Sequence, residues 1–139
     1  MEQGAYGFSD GATYGYMSYI RTTEKIEVVP GETYTLSFKG TQPTSWDSGY
    51  VFFKDGESVS CLATADLTFT VPNDANQVAY NLCNSSGISP SDIWDIQLEK
   101  GTIATSYEPY VEGDIFMDSN TESLTAGAIS GHAFTLRNK

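Results

Sequence analysis

Short segments in which apolar and polar residues alternate strictly are the clearest pattern in this chain. Between Thr33 and Lys39 the apolar side chains are Tyr34, Leu36 and Phe38, and threonine or serine stands between them. A period of two places alternate side chains on opposite sides of an extended backbone. The segment therefore predicts a strand with one buried face and one face towards solvent.

Comparable segments follow at intervals of about ten residues, the spacing of short strands in an antiparallel sandwich or jelly roll. We predict further strands over 17–20, 50–54, 58–62, 66–71, 77–83 and 94–99. Turn residues separate them, and Asp55-Gly56 is a hairpin signal because both residues tolerate positive φ. No segment has the period of an amphipathic helix, so the pattern predicts an all-β fold of about eight strands.

The stretch from Asp92 to Tyr110 is interpreted as the closing strands of the sandwich. Its inward positions are Trp94, Ile96 and Leu98, and its outward positions are Asp95, Gln97 and Glu99. Pro109 cannot donate a hydrogen bond to a neighbouring strand, so the chain is expected to leave the sheet there or to run along an edge. We expect Tyr107 and Tyr110 to pack back onto the sandwich.

Residues 111–139 differ in composition, with fewer aromatic and more small side chains. Two short apolar patches, Ile115–Met117 and Ala133–Leu136, could each add a strand. The segment is too apolar to be predicted as disordered. We therefore divide the chain into a domain over 1–110 and a C-terminal arm over 111–139. The arm is expected to pack on a neighbouring subunit or to lead into a partner.

The charge balance excludes some classes of partner. The chain has 7 Lys and Arg against 18 Asp and Glu, a net charge of −11. Nucleic acids and anionic membranes are recognised by clustered cations, so neither is an expected partner. Neutral polymers such as sugars, or cations, are compatible with this surface. No apolar run reaches membrane-spanning length, and no signal segment follows Met1, so membrane insertion and export by a cleaved signal are not expected.

The chemistry-bearing residues predict neither an enzyme nor a cofactor site. His132 is the only histidine, and nothing in the pattern selects a catalytic pair among the acidic residues. Cys61 and Cys83 form no metal-binding pattern, and without a secretory signal we expect free thiols rather than a disulfide. Oxygen ligands are plentiful enough for a structural Ca²⁺, but no loop of the D-x-D-x-D-G type occurs.

Four segments together carry a resemblance to a known family. They are MEQGAYG at the start, YIRTTEKIEVVPGETYTLSFKG, DLTFTVPNDANQVAYNL and WDIQLEKGTIATSYEPY. In this order they resemble the jelly-roll modules, similar to carbohydrate-binding modules, of tail, baseplate and other virion proteins of bacteriophages. The resemblance covers residues 1 to about 110 and includes no catalytic motif. It implies a jelly-roll β-sandwich in a virion protein that contributes to virion structure or to attachment to host-surface polysaccharide. Its partners would be other virion proteins or copies of itself.

The phase of the predicted strands gives a candidate carbohydrate site. If Val51 and Phe53 point into the core, their neighbours on the same strand point out, and the same argument applies to the strands over 77–83 and 94–99. The candidate ligand-binding residues are Trp46, Tyr50, Phe52, Lys54, Asn81, Asp95 and Gln97, on one sheet face with Trp46 in a loop at its rim.

Two other interpretations of these residues stay open. Exposed aromatic side chains also serve protein–protein contacts, which would make the chain a decoration or assembly protein without sugar binding. A register error of one residue would instead turn Tyr50 and Phe52 into ordinary core residues. For Trp46, which lies in a polar loop, we expect a contact or binding role.

Overall fold

The protein is an all-β sandwich. The computed structural model describes residues 1–44 and 46–109 and the backbone of the strand Thr135–Arg137. Within these residues there is no α-helix, and no helix is long and apolar enough to cross a membrane. The predicted all-β sandwich is confirmed, whereas the jelly-roll connectivity stays a prediction.

The described residues form twelve strands, more than the sequence predicts, because the first 27 residues contribute five very short ones. The strands are β1 Glu2–Gln3, β2 Ala5–Tyr6, β3 Thr13–Tyr14, β4 Tyr19–Arg21, β5 Ile26–Glu27, β6 Thr33–Gly40, β7 Gly49–Lys54, β8 Glu57–Ala63, β9 Thr68–Thr70, β10 Gln77–Cys83, β11 Ile93–Lys100 and β12 Thr135–Arg137. A single 3₁₀ turn, Pro90–Asp92, leads into β11.

These strands form two packed sheets and one hairpin. The first sheet has the order β1-β4-β10-β7-β8, and β5 also pairs with β10. The second sheet has the order β12-β11-β6-β9, and β2 pairs with β3 as a separate two-stranded hairpin. All pairs are antiparallel except β11 with β12, which is parallel.

The main core lies between the two sheets and is rich in aromatic rings. Tyr50 on β7 is central: its ring centroid lies 4.2 Å from that of Phe69 and 5.2 Å from that of Tyr80. Phe52 belongs to the same cluster and is 2% exposed. Burying a side chain of this size contributes about 1.5–3 kcal/mol, so these rings stabilise the packing of one sheet on the other.

The opposite face of β7 is also buried, which corrects the predicted phase of this strand. Val51 and Phe53 do not face the inter-sheet core. They form a second cluster with Ala79 beneath Tyr6 of the β2–β3 hairpin. Because the hairpin covers the outer face of the first sheet, both faces of β7 are buried from Tyr50 to Phe53. The prediction that Tyr50 and Phe52 point outwards is therefore wrong.

The phase predicted for β11 is wrong at Trp94. The register between β11 and β6 shifts between Trp94 and Gln97, and Asp95 has a positive φ of 53°. This bulge turns Trp94 to the outer face, where it is 53% exposed, while Ile96 and Leu98 face the core.

Gln97 and Glu99 do lie on the outer face of the second sheet, but they are buried because residues 101–109 cross over them. Thr105 donates a hydrogen bond from its backbone N–H to Glu99 Oε1 at 2.8 Å. Its hydroxyl donates to Glu99 Oε2 at 2.5 Å. The backbone N–H of Glu108 donates to Gln97 Oε1 at 3.1 Å. The crossing segment thus supplies the partners that solvent was expected to supply.

Several local predictions are confirmed. The strand predicted over 33–39 is β6, and the Asp55-Gly56 hairpin joins β7 to β8 with φ of 50° and 90°. Cys61 and Cys83 are free thiols, the first exposed and the second buried.

In the predicted arm, the patch Ala133–Leu136 overlaps β12, which pairs with β11 of the same chain. Tyr110 and Ile115–Met117 lie outside the described residues, and the subunit contact stays a prediction.

Two core hydroxyls give a matched prediction of stability. The Tyr50 hydroxyl donates to the carbonyl of Asp66 at 2.7 Å, whereas the buried Tyr80 hydroxyl has no partner among the described residues. We expect Tyr50→Phe to lower the free energy of unfolding by about 1 kcal/mol and Tyr80→Phe to raise it by a similar amount. Urea unfolding of both variants checks this. Equal losses would show that the Tyr80 hydroxyl has a partner.

Candidate functional site

The predicted carbohydrate residues are not brought together on one face. Lys54 and Asn81 lie on strands of the first sheet, whereas Asp95 and Gln97 lie on β11 of the second sheet. This separation corrects the predicted site, whose strands were assigned to the same face. Of these four residues, Lys54 is exposed, Asp95 forms an ion pair with Lys39, and Asn81 and Gln97 are buried.

Tyr50 and Phe52 cannot offer a ring to a polysaccharide in this structure. Their side chains are 0% and 2% exposed in the inter-sheet core. Asn81 shares a face of the first sheet with Val51 rather than with Tyr50, because Ala79 pairs with Val51 and Asn81 stands two residues further along β10. Trp46 is 72% exposed in the loop before β7, as predicted.

Asn81 has a structural role that positions another surface. Its Oδ1 accepts a hydrogen bond from the backbone N–H of Tyr6 at 2.9 Å, and its Nδ2 donates to the carbonyl of Tyr6 at 2.7 Å. The Tyr6 ring packs edge-on against Phe53, and the Arg21 guanidinium lies 5.1 Å from its centroid. These contacts hold the β2–β3 hairpin on the outer face of the first sheet.

A cleft of about 340 Å³ opens where this hairpin meets the first sheet. We call it the tyrosine cleft; it is lined by Ala5, Tyr6, Gly7, Phe8, Ser9, Tyr14, Tyr16, Tyr19 and Asn81. Tyr14 and Tyr16 stack with centroids 5.7 Å apart and planes 16° apart, and Tyr19 lies 5.9 Å beyond Tyr16. Tyr14 is 40% and Tyr16 is 52% exposed, so both present ring surface to solvent.

A carboxylate fixes one end of this aromatic row. The Tyr14 hydroxyl donates to Asp10 Oδ2, and the Ala12 N–H donates to Asp10 Oδ1 at 3.0 Å. The hydrogen bond from Tyr14 and, to a smaller extent, the hydrogen bond from Ala12 lower the pKa of Asp10. The Asp10 carboxylate in turn raises the pKa of Tyr14. A Cβ at Gly7 would stand 2.3 Å from Asp10 Oδ1, so a larger residue there would displace the Asp10 carboxylate.

The loop that carries Trp46 borders the other end of the row. Ser48 Oγ accepts a hydrogen bond from the Cys83 N–H at 2.9 Å, and the Cys83 thiol is hydrogen bonded to Tyr19. The pKa of Tyr19 is raised to about 12, and burial is the largest cause. The hydrogen bond with Cys83 and the negative charge of Asp47 act in the same direction. Asp47, next to Trp46, therefore lies close enough to act on Tyr19 electrostatically.

The cleft combines exposed aromatic faces with polar groups, an arrangement suited to a flat, uncharged ligand with an apolar face and hydroxyl edges. Aromatic faces carry partial negative charge and attract weakly positive C–H groups, such as those of a pyranose ring. Sequence reasoning did not select Tyr14, Tyr16 or Tyr19. The available signal was tyrosine at every other position of Tyr14-Gly15-Tyr16, in a segment whose glycines obscure any longer strand pattern. Within the described residues, no group of three or more His, Cys, Asp or Glu could hold a metal ion.

Comparisons with known proteins add no relationship to these observations. No protein-family model matches the chain, and no curated protein and no solved structure matches it either.

Proposed function

We propose that this protein is a non-catalytic module of a bacteriophage virion that binds neutral polysaccharide on the host surface. The observation that carries the proposal is the exposed, stacked pair Tyr14 and Tyr16 at the mouth of the tyrosine cleft. The virion context rests on the four-segment resemblance in the sequence. The binding role rests on the cleft, because contiguous exposed aromatic surface commonly marks a binding site.

The charge of the protein favours a neutral ligand. With a net charge of −11, acidic polymers are repelled. A neutral sugar avoids this repulsion, and its C–H face can stack on Tyr16 while its hydroxyls bond to polar groups along the rim, such as Ser9. Pockets that combine apolar surface with a few polar groups are typical of small-ligand sites.

The carboxylate at one end of the aromatic row supports binding rather than turnover. Asp10 accepts hydrogen bonds from Tyr14 and Ala12, and these bonds lower its pKa. A glycosidase needs one carboxyl group that stays protonated to act as the acid, with a second carboxylate across the bond to be cleaved. Asp10 is suited to orient Tyr14 rather than to donate a proton.

A decoration or assembly role is the second candidate, and one observation favours it. Strand β8 is the edge of the first sheet, with most of its residues exposed, including Val59 and Leu62 at 41% each. Edge strands with exposed apolar side chains can pair with another chain. In that case the protein would form defined assemblies and would bind no sugar.

Replacing Tyr16 tests the binding role. We expect Tyr16→Ala to weaken polysaccharide binding about tenfold, because it removes a stacking ring that contributes about 1.4 kcal/mol. Tyr16→Phe keeps the ring and should bind like the wild type. A glycan array followed by titration calorimetry on its best ligand measures both. Absence of any glycan binding by the wild type, with a stable oligomer in light scattering, would favour assembly instead.

A further inference from the structure

Trp94 is exposed because the backbone of β11 departs from regular strand geometry beside it. Ile96 and Leu98 face the core, and regular alternation counted back from them would turn Trp94 inwards as well. The irregularity between Trp94 and Gln97 inserts Asp95 at a φ of 53°. Positive φ in a non-glycine residue is unfavourable and persists only where the surrounding structure imposes it. Bulges of this kind commonly redirect one side chain at a functional surface.

The neighbouring strand is adapted to the redirected ring. Gly40, at the end of β6, has a φ of 97°, and a Cβ there would stand 2.8 Å from Trp94 Cζ3. It would also stand 2.1 Å from the carbonyl oxygen of Asp92, so only glycine fits. The edge of the indole therefore lies against bare backbone, which holds the ring in place while 53% of the residue stays exposed.

Polar side chains lie next to Trp94 in the strand register. Lys39 is directly opposite Trp94 in the register of β6 and β11. Its Nζ lies 3.2 Å from Asp95 Oδ2, and the two side chains are 66% and 33% exposed. The ion pair offers both hydrogen-bond donors and acceptors beside an aromatic face, and an exposed pair of this kind contributes little to stability by itself.

We propose that Trp94, Lys39 and Asp95 form a second platform for a pyranose ring of a neutral polysaccharide. This Trp94 platform lies on the outer face of the second sheet, whereas the tyrosine cleft lies on the outer face of the first. The inference rests on the proposed function and extends it. Two sites on opposite faces of one sandwich would bind two polysaccharide molecules, or two segments of one polysaccharide molecule. Linked sites of this kind raise the overall avidity for a repetitive polymer without any tighter single contact.

The surroundings of Trp94 favour a sugar over a protein partner. Protein interfaces have a contiguous apolar centre with charged residues depleted. Here the neighbours of the indole are Gly40 and an exposed ion pair instead. An aromatic face beside charged groups suits a pyranose ring, which has both C–H and O–H groups.

Tryptophan fluorescence isolates this site. The chain contains two tryptophans, so in a Trp46→Phe variant all indole emission comes from Trp94. We expect cellohexaose or chitohexaose, titrated to millimolar concentration, to shift or quench this emission with saturation. The same titration on Trp46→Phe with Tyr16→Ala should give the same fluorescence change, because the tyrosine cleft is a separate site. Absence of any change with both probes in the Trp46→Phe protein overturns the platform.

Stoichiometry separates failure of this inference from failure of the proposed function. By calorimetry we expect two oligosaccharides per wild-type chain and one for Trp94→Ala, and the Trp94→Ala protein should no longer cross-link a soluble polysaccharide in turbidity measurements. If the wild type binds one oligosaccharide and Tyr16→Ala abolishes it, the platform is wrong and the tyrosine cleft stands. If no oligosaccharide binds, both are wrong. If Trp94→Ala leaves binding unchanged but turns an oligomer into a monomer, Trp94 is a subunit contact and the platform is wrong.

Discussion

Phe52→Ala is expected to lower the free energy of unfolding by about 3–5 kcal/mol. Phe52 is 2% exposed, and its ring lies 6.3 Å from Tyr50 and 6.0 Å from Phe69 in the inter-sheet core. Truncation removes the apolar area of the ring and leaves a cavity between sheets that cannot close fully. Such a loss is a large part of the stability of a domain of this size.

Trp46→Ala is the matched control, because it also removes a large aromatic side chain but from a position that is 72% exposed. We expect it to change stability by less than about 0.5 kcal/mol, as for most surface substitutions. Urea unfolding followed by circular dichroism compares the two. If Phe52→Ala kept full stability but lost glycan binding, Phe52 would face solvent and the outward phase predicted from the sequence would be right.

The strand positions were predictable because alternation and turn chemistry are local. β6 and β10 lie where the pattern places them, and the Asp55-Gly56 turn needs only two residues that tolerate positive φ. The direction of the side chains was less predictable. β7 is apolar at Tyr50, Val51, Phe52 and Phe53, so no polar position marks a wet face. Which face of β7 packs against the second sheet depends on the β2–β3 hairpin, which is distant in sequence and covers the opposite face.

The inward direction predicted for Trp94 on β11 failed for a different reason. A bulge reverses the side-chain phase, and nothing in the local alternation of Trp94, Asp95 and Ile96 signals one. The buried state of Gln97 and Glu99 was equally hidden, since their partners are backbone and side-chain groups of Thr105 and Glu108 that fold back over them. Burial of polar residues is decided by such satisfied hydrogen bonds, and sequence position alone does not show them.

The exposure of a single aromatic ring was predictable, but the position of the candidate site was not. Exposed aromatics with polar neighbours were expected, and Trp46 is one of them. The remaining rings, Tyr14, Tyr16 and Tyr19, come from a glycine-rich segment without a clear strand period. Asn81 contributes to the cleft because it fixes the hairpin against the first sheet. Asn81 was itself expected at the surface as a ligand-binding residue, and its burial reflects two bonds to Tyr6 that the chain brings together across 75 positions.

Asn81→Ala is the second substitution with a large expected effect. It removes both side-chain partners of the Tyr6 backbone, which leaves a buried N–H and a buried carbonyl without hydrogen bonds. Each unsatisfied group costs about 1–3 kcal/mol, so we expect a loss of about 2–4 kcal/mol in the free energy of unfolding. Because the β2–β3 hairpin depends on these bonds, it should also open locally before the sandwich unfolds.

Hydrogen exchange distinguishes a local effect of this substitution from a global one. In Asn81→Ala the amides of Tyr6 and Gly7 should exchange much faster than in the wild type, while those of β6 in the second sheet keep more protection. Asn73→Ala, the same change at an exposed position, should alter neither exchange nor stability. Since the hairpin supplies Tyr14 of the tyrosine cleft, its opening should also weaken glycan binding there. Retained protection at Tyr6 together with weaker glycan binding would instead mean that Asn81 contacts the ligand itself.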